Sequence, residues 1–299
     1  MKRILKWAVI VLAGIVGLLI VAVVALSAGT TRRLNRTYEL NVPPVALPEG
    51  ETAVAAGEHL AMVRCMGCHG DDLAGTVVFD DLALAFIASS NLTAGAGGVG
   101  ATYSDEDWVR AIRHGVGPDN QPLLVMPAAE FYYLSDADLG NLIAYLKSLP
   151  PVDNDPGQSR TTLLGRTLIA AGAFGDIINA ETIDHEKRPA APPPGVTATY
   201  GEYLINNTGC RTCHGAELAG GKHPDPAAPP APNLTRGGEL GGWSEADFIR
   251  ALREGQTPSG RRLQAAFMPW SQFRHFTGEE LQAIWLYLQD QPARETVLP

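Results

Sequence analysis

Every cysteine of the chain stands in one of two pentapeptides, Cys65-Met66-Gly67-Cys68-His69 and Cys210-Arg211-Thr212-Cys213-His214. Two thiols separated by two residues, with an imidazole directly after the second, form the attachment signal for c-type haem. The spacing has a chemical reason. Each thiol adds across one vinyl group of the porphyrin, and the histidine then lies beneath the iron and binds it through a ring nitrogen. The expectation is two covalently attached haem c groups, bonded to Cys65, Cys68, Cys210 and Cys213, with His69 and His214 as iron ligands. Zinc would require four sulfur or nitrogen ligands gathered in one site. Here the pairs are 145 residues apart and each carries its own adjacent histidine. A thioredoxin-like redox pair would sit in a βαβ setting, which the pattern around these motifs lacks.

A haem held by one histidine has a second axial position to fill. Of the five methionines, Met1 is the start, and Met62 and Met66 lie too near Cys65 to reach the opposite porphyrin face. Met126 and Met268 remain. They follow their histidines by 57 and 54 residues, each precedes a proline, and each stands shortly before the last helix of its half. Both are expected to supply a thioether to iron, and the proline stiffens the loop that carries it. A soft sulfur ligand favours ferrous iron and raises the reduction potential. Two strong axial ligands also close the metal to small molecules, which points to electron transfer rather than bond-making chemistry. The other histidines (His59, His114, His185, His223 and His275) read as surface or capping residues.

The elements that position these groups occur twice. Asn91-Leu92-Thr93 answers to Asn233-Leu234-Thr235, and Ser104–Arg113 to Ser244–Arg253. Met126-Pro127 answers to Met268-Pro269, and Leu139–Leu146 to Leu281–Leu288. A repeated unit of this size implies two like domains. The repetition of Asn-Leu-Thr at one structural place favours a pocket-lining loop over a glycosylation sequon. Ser104 with Asp107, Ser244 with Asp247, Ser135 with Asp138 and Thr277 with Glu280 read as N-terminal capping pairs before apolar residues at helical spacing. No alternating β-run of useful length is evident. The expected fold is all-α, with a membrane anchor at 1–31, one domain at 50–150, a packed connector at 151–195 and a second domain at 196–291. Thr31–Glu49 reads as a polar tether. Glycine- and proline-rich loops lie at Gly95–Gly100 and Pro224–Pro232, with a further proline cluster at Pro189–Pro194.

The chain of 299 residues carries a net charge of −9, which argues against nucleic acid as a partner. From Trp7 to Leu26 there are 20 residues without charge or proline, enough to span about 30 Å as a helix. This run is longer than the apolar core of a signal peptide, so an uncleaved single-pass anchor is expected. Basic residues flank it on both sides, leaving the positive-inside rule tied. Covalent haem attachment takes place outside the cytoplasmic membrane, which places the domains on the periplasmic or outer face. Residues 50–150 hold 4 basic and 13 acidic groups, whereas 196–291 hold 8 and 10. The first domain is therefore the one suited to steering a basic partner.

With these motifs in place, the chain resembles a membrane-anchored dihaem class I cytochrome c. The Asn-Leu-Thr loop, the Ser-x-x-Asp-Trp/Phe helix and the Met-Pro before the final helix are similar to the cytochrome subunits of membrane-bound alcohol and aldehyde dehydrogenases, over about 50–150 and 196–291. Those subunits commonly carry three haems, against two here. Anchor plus two haem domains also resembles the dihaem subunit of some haem–copper oxidases. The resemblance implies a carrier of single electrons between a periplasmic donor and a respiratory-chain acceptor. Its partners would be a periplasmic dehydrogenase, a soluble cytochrome or a terminal oxidase. The alternative, a dihaem peroxidase or sulfur-compound dehydrogenase, needs one labile axial site.

Overall fold

The computed structural model describes residues 2–188, 190–223, 225 and 227–297. Pro189 and Pro224, at the start of the two proline-rich stretches, lie outside them. The apolar run becomes helix α1 (Lys2–Leu34), which continues past the uncharged segment. It is the one helix among the described residues long and apolar enough to cross a membrane.

The first half contains α2 (Glu51–Arg64), α3 (Met66–His69), β1 (Val77–Asp81), β2 (Ala85–Ala88), α4 (Asp105–His114), α5 (Ala128–Phe131) and α6 (Asp136–Ser148). The connector adds β3 (Arg160–Thr161) and α7 (Leu163–Ala170). The second half runs through α8 (Ala198–Asn207), α9 (Cys210–His214), α10 (Glu245–Glu254), α11 (Trp270–Phe273) and α12 (Gly278–Asp290). The helices start where the capping pairs predict. Ser104 and Ser244 accept the backbone N–H of Asp107 and Asp247, and each aspartate accepts the serine's own N–H in return. Ser135 caps α6, and Thr277 with Glu280 forms a full capping box on α12.

In each half the first helix crosses the last. Gly57 of α2 lies against the backbone of Asn141 and the Cβ of Tyr145 in α6. Gly201 of α8 lies in the same way against Ala283 and Tyr287 in α12. A side chain at either glycine would hold the helices apart. The absence of one lets Leu60, Leu139, Leu142, Ile143 and Leu146 form one core, and Leu204, Leu281, Ile284, Trp285 and Leu288 the other.

Three expectations are corrected. The chain does contain a β-sheet, of antiparallel order β1-β2-β3. Its β1 is exposed along its whole length, so no inside–outside alternation marks it in the sequence. The segment read as a polar tether is docked: Val42 and Val45 enter the first core, and Tyr38 packs with Val116 and Ala180. Finally, His114 is buried, not a surface residue. Its Nδ1 lies 3.0 Å from Nδ1 of His185 in the connector. His185 Nε2 donates to the Ala180 carbonyl at 2.9 Å, so in the neutral ring its Nδ1 accepts from His114. Burial, with help from the neighbouring His185 and Arg113, lowers His114 to about 4.

Candidate haem-binding sites

Each Cys-x-x-Cys-His pentapeptide forms a short helix at the end of a longer one. Cys65 follows α2 directly, and α9 follows α8 after a turn at Gly209 in the left-handed region (φ 72). No disulfide joins the four cysteines. The two histidines are held alike. His69 Nδ1 donates to the Ser90 carbonyl at 2.8 Å, and His214 Nδ1 donates to the Pro232 carbonyl at 2.7 Å. A carbonyl only accepts, so the proton is on Nδ1 and the Nε2 lone pair is left for a metal. Burial lowers both rings below the ordinary histidine range, which keeps them neutral and able to ligate.

The acceptor carbonyls belong to the residues just before the two Asn-Leu-Thr triplets, which gives that repeat its structural role. Asn91 is buried, and its Nδ2 donates to the Val152 carbonyl at 2.8 Å. Asn233, also buried, donates to the Arg294 carbonyl at 2.9 Å. Each asparagine Oδ1 accepts the backbone N–H of the threonine two residues on. The triplet thus pins the strand after the last helix to the loop that orients the histidine. Leu92 and Leu234 sit between these bonds, in the first core and in the wall of the second cavity.

A second duplicated device was not singled out in the sequence. His69-Gly70 to Leu73-Ala74-Gly75 matches His214-Gly215 to Leu218-Ala219-Gly220. Leu73 (φ 57) and Leu218 (φ 56) both adopt the left-handed region and are fully buried. Their carbonyls accept the N–H of Leu92 and Leu234 at 2.8 Å. A buried non-glycine residue in that region is strained, and here the same strain occurs at the same place twice.

In the second half Cys210, Cys213, His214 and Met268 line one cavity of about 580 Å³. Its walls are apolar, built from Ile205, Leu240, Trp243, Phe248, Phe276 and Leu288. Volume and lining suit a large planar group with a polar edge. In the first half Met126 packs on the core that contains Cys65, Leu92, Trp108 and Leu142. The preceding Val125 has φ 68, unusual for a β-branched residue, and its N–H donates to the Ile177 carbonyl at 2.8 Å. The connector thus fixes the loop that carries Met126.

The two sites face one another. Thr212, inside the second pentapeptide, donates its hydroxyl to Glu130 of α5 at 2.9 Å. The same Glu130 carboxylate lies against Gly209, the residue just before the second pentapeptide. Around it, His59 Nε2 meets Glu280 at 2.9 Å, and Arg64 Nε donates to Asn207 at 3.1 Å. Tyr203 accepts the Ser135 N–H at 3.0 Å and donates to Asp138. His59, read as a surface residue, is therefore part of the contact between the halves. None of these pairs repeats within a half, so the duplication that exposes the sites does not expose the contact.

Residues 54–150 match the cytochrome c family, and residues 197–288 match the family described as cytochrome c oxidase, cbb3-type, subunit III. Both halves of the chain are cytochrome c domains. They carry two covalently bound c-type haems, and the histidine tautomers and the apolar cavity fit that cofactor. Across the whole chain these domains are similar to the fructose dehydrogenase cytochrome subunit of Gluconobacter japonicus, with 26% identity over 91% of this chain and 58% of that protein. The gluconate 2-dehydrogenase cytochrome c subunit of Pantoea cypripedii is 29% identical over 82% of this chain and 61% of its own length. A diheme cytochrome c-type protein of Cereibacter sphaeroides is 27% identical over 66% of this chain and 68% of its own. The chain spans rather more than half the length of the dehydrogenase subunits it matches.

Proposed function

We propose that this dihaem cytochrome is the electron-carrying subunit of a membrane-bound dehydrogenase. Anchored by α1 with its domains on the periplasmic or outer face, it takes single electrons from a periplasmic dehydrogenase and passes them to a respiratory acceptor such as a soluble cytochrome or terminal oxidase. His69 with Met126, and His214 with Met268, would each hold one haem iron. Cys65, Cys68, Cys210 and Cys213 are the attachment points. The observation that carries this reading is the convergence of Cys210, Cys213, His214 and Met268 on one apolar cavity, with the same residue types in the same order in the first domain.

The bound haem supplies a one-electron iron couple in each domain. The protein residues do the rest. The Ser90 and Pro232 carbonyls set the imidazole planes and raise their basicity. The Met-Pro loops bring a soft sulfur, which raises the potential. Leu240, Trp243, Phe248 and Phe276 exclude water from the second cavity. A histidine and a methionine from the chain on each iron would leave no position for a substrate, so the group would supply electron exchange alone.

The test is spectroscopic. The oxidised protein should show a sulfur-to-iron charge-transfer band in the near infrared and two low-spin ferric signals. Met126→Leu and Met268→Leu should each remove one half of that band and lower the midpoint potential of one haem only. A wild-type protein lacking the band, or one that turns over peroxide steadily, overturns the assignment.

A further inference from the structure

Beyond the α1 span, the chain exposes a second set of large apolar side chains. They cluster on the hairpin β1–β2 and the start of α7. Leu82, at the hairpin tip, is 94% exposed. Val77, Val78 and Phe79 of β1 and Leu163 and Leu164 of α7 are all exposed as well. The two pieces form one surface. Thr162, the N-cap of α7, donates its hydroxyl to the Leu84 carbonyl at 3.1 Å, and Gly165 lies against that same carbonyl. Asp81 Oδ1 accepts the N–H groups of Ala83 (2.8 Å) and Leu84 (3.0 Å), so the turn that raises Leu82 is built rather than loose.

The position of this surface along α1 names its occupant. The Thr167 hydroxyl donates to the Val23 carbonyl at 3.3 Å. Arg166 Nε donates to Ser27 Oγ at 3.1 Å, and its carbonyl accepts from the Thr30 hydroxyl at 2.7 Å. Further on, Glu181 meets Arg33 at 2.6 Å. The connector therefore follows α1 away from the apolar end, and Leu163 and Leu164 stand one turn before the residue that touches Val23. Val23 is three residues inside the uncharged run ending at Leu26, about 5 Å of helix rise. An amphipathic element lying in a bilayer surface buries its apolar face by about that depth.

We infer that the β1–β2 hairpin tip and the first turn of α7 form a second, non-spanning membrane contact, seated in the interfacial layer of the bilayer around the outer end of α1. The ligand is lipid, and a zwitterionic surface suits it: Asp80 and Asp81 directly precede Leu82, and Arg166, the one cation in these elements, is engaged by Ser27 and the Thr161 carbonyl. The contact would fix the orientation of the first haem domain, since β2 runs into the Ser89-Ser90 segment that bonds His69. This inference rests on the anchor reading of α1.

The experiment uses the full haem-loaded chain in phosphatidylcholine nanodiscs, with no other protein present. A hydrophobic carbene precursor dissolved in the lipid is photolysed, and labelled peptides are read by mass spectrometry. Label on 77–84 and 163–168 as well as on α1, with none on 256–263 of the second domain, is the expected result. The pair Leu82→Asp and Leu164→Glu should cut labelling of the two peptides by about tenfold, because a carboxylate replaces an apolar side chain in lipid, and leave α1 labelling unchanged. Both positions are solvent-exposed in the isolated chain, so an unchanged haem spectrum checks the fold. Label on α1 alone overturns this inference and keeps the anchor. No label on α1 overturns both.

Discussion

Gly57→Ala tests whether the helix crossing, rather than the haem loops, holds the geometry of the first site. A Cβ on Gly57 would fall 2.6 Å from the Cβ of Tyr145 and closer still to the Asn141 carbonyl oxygen. Ordinary carbon contacts are about 3.5–4.0 Å, so α2 and α6 must separate by about 1 Å. A gap of that size forfeits a quarter to a half of each dispersion contact along the seam. Leu60, Leu139, Leu142 and Ile143, all buried, share it. Overpacking alone costs about 1–3 kcal/mol. Replacing glycine inside a helix returns up to about 1 kcal/mol of propensity, and the lost seam contacts add to the cost. The net expectation is a loss of about 2–4 kcal/mol, or roughly 10–20 °C in the melting of a domain of this size.

The functional consequence follows from connectivity. Helix α2 leads directly into Cys65, and α6 follows the Met126 loop. Opening their crossing draws His69 and Met126, the proposed ligands, apart, so the first domain should lose its sulfur-to-iron band at a lower denaturant concentration than the second. Denaturant titration followed at that band, with Gly278→Ala as control, measures the effect. Gly278 has open space around its Cα and should accept a methyl group without cost. Equal midpoints for Gly57→Ala and wild type, with the band intact, would refute the argument that this glycine sets the helix separation.

Two further predictions concern the second domain and the contact between domains. Ser244→Ala removes the side chain that accepts the Asp247 N–H and breaks the capping box of α10; it should cost about 1 kcal/mol in chemical unfolding, with both ligation bands unchanged in the folded protein. Glu130 is raised by burial, against which the Thr212 hydroxyl pulls it down. For an acid raised on folding, stability is highest below the unfolded value of about 4.3 and falls as pH climbs to the folded value. Glu130→Gln should therefore flatten the decline of stability above about pH 4; identical pH profiles for the two proteins would remove Glu130 as its source.

The sites were legible in the sequence because their chemistry is local. Two thiols and an imidazole within five residues need no fold to be recognised, and duplication turned Met126 and Met268 from two packing candidates into a pattern. The helix starts were legible for the same reason, since a capping box spans only four residues. What stayed hidden depends on backbone or on single pairs. The acceptors that orient His69 and His214 are carbonyls, and any residue type supplies one. The capacity of Asn91 and Asn233 to hold the chain after the last helix lies in which carbonyls come within reach. The His114–His185 pair joins residues 71 positions apart, the docking of Val42 and Val45 brings them into one core with Leu139 and Leu142, and no local period marks either. β1 escaped notice because none of its residues is buried.

The contact between the domains is where structure adds most to the functional reading. The two halves share the same pattern of cysteines, histidine and methionine. The bonds that join them do not repeat. His59 with Glu280, Arg64 with Asn207, Tyr203 with Asp138 and Thr212 with Glu130 each take one partner from each domain. All four have a partner on a helix that carries or abuts a pentapeptide: α2, α8 or α9. Rotation of one domain against the other would break these bonds together and expose Glu280, which is 7% accessible. A loose pair of carriers would not need polar groups buried at such cost. These bonds tie the helices that carry the two attachment motifs to one another, and a constrained separation is what successive electron transfers between two centres require.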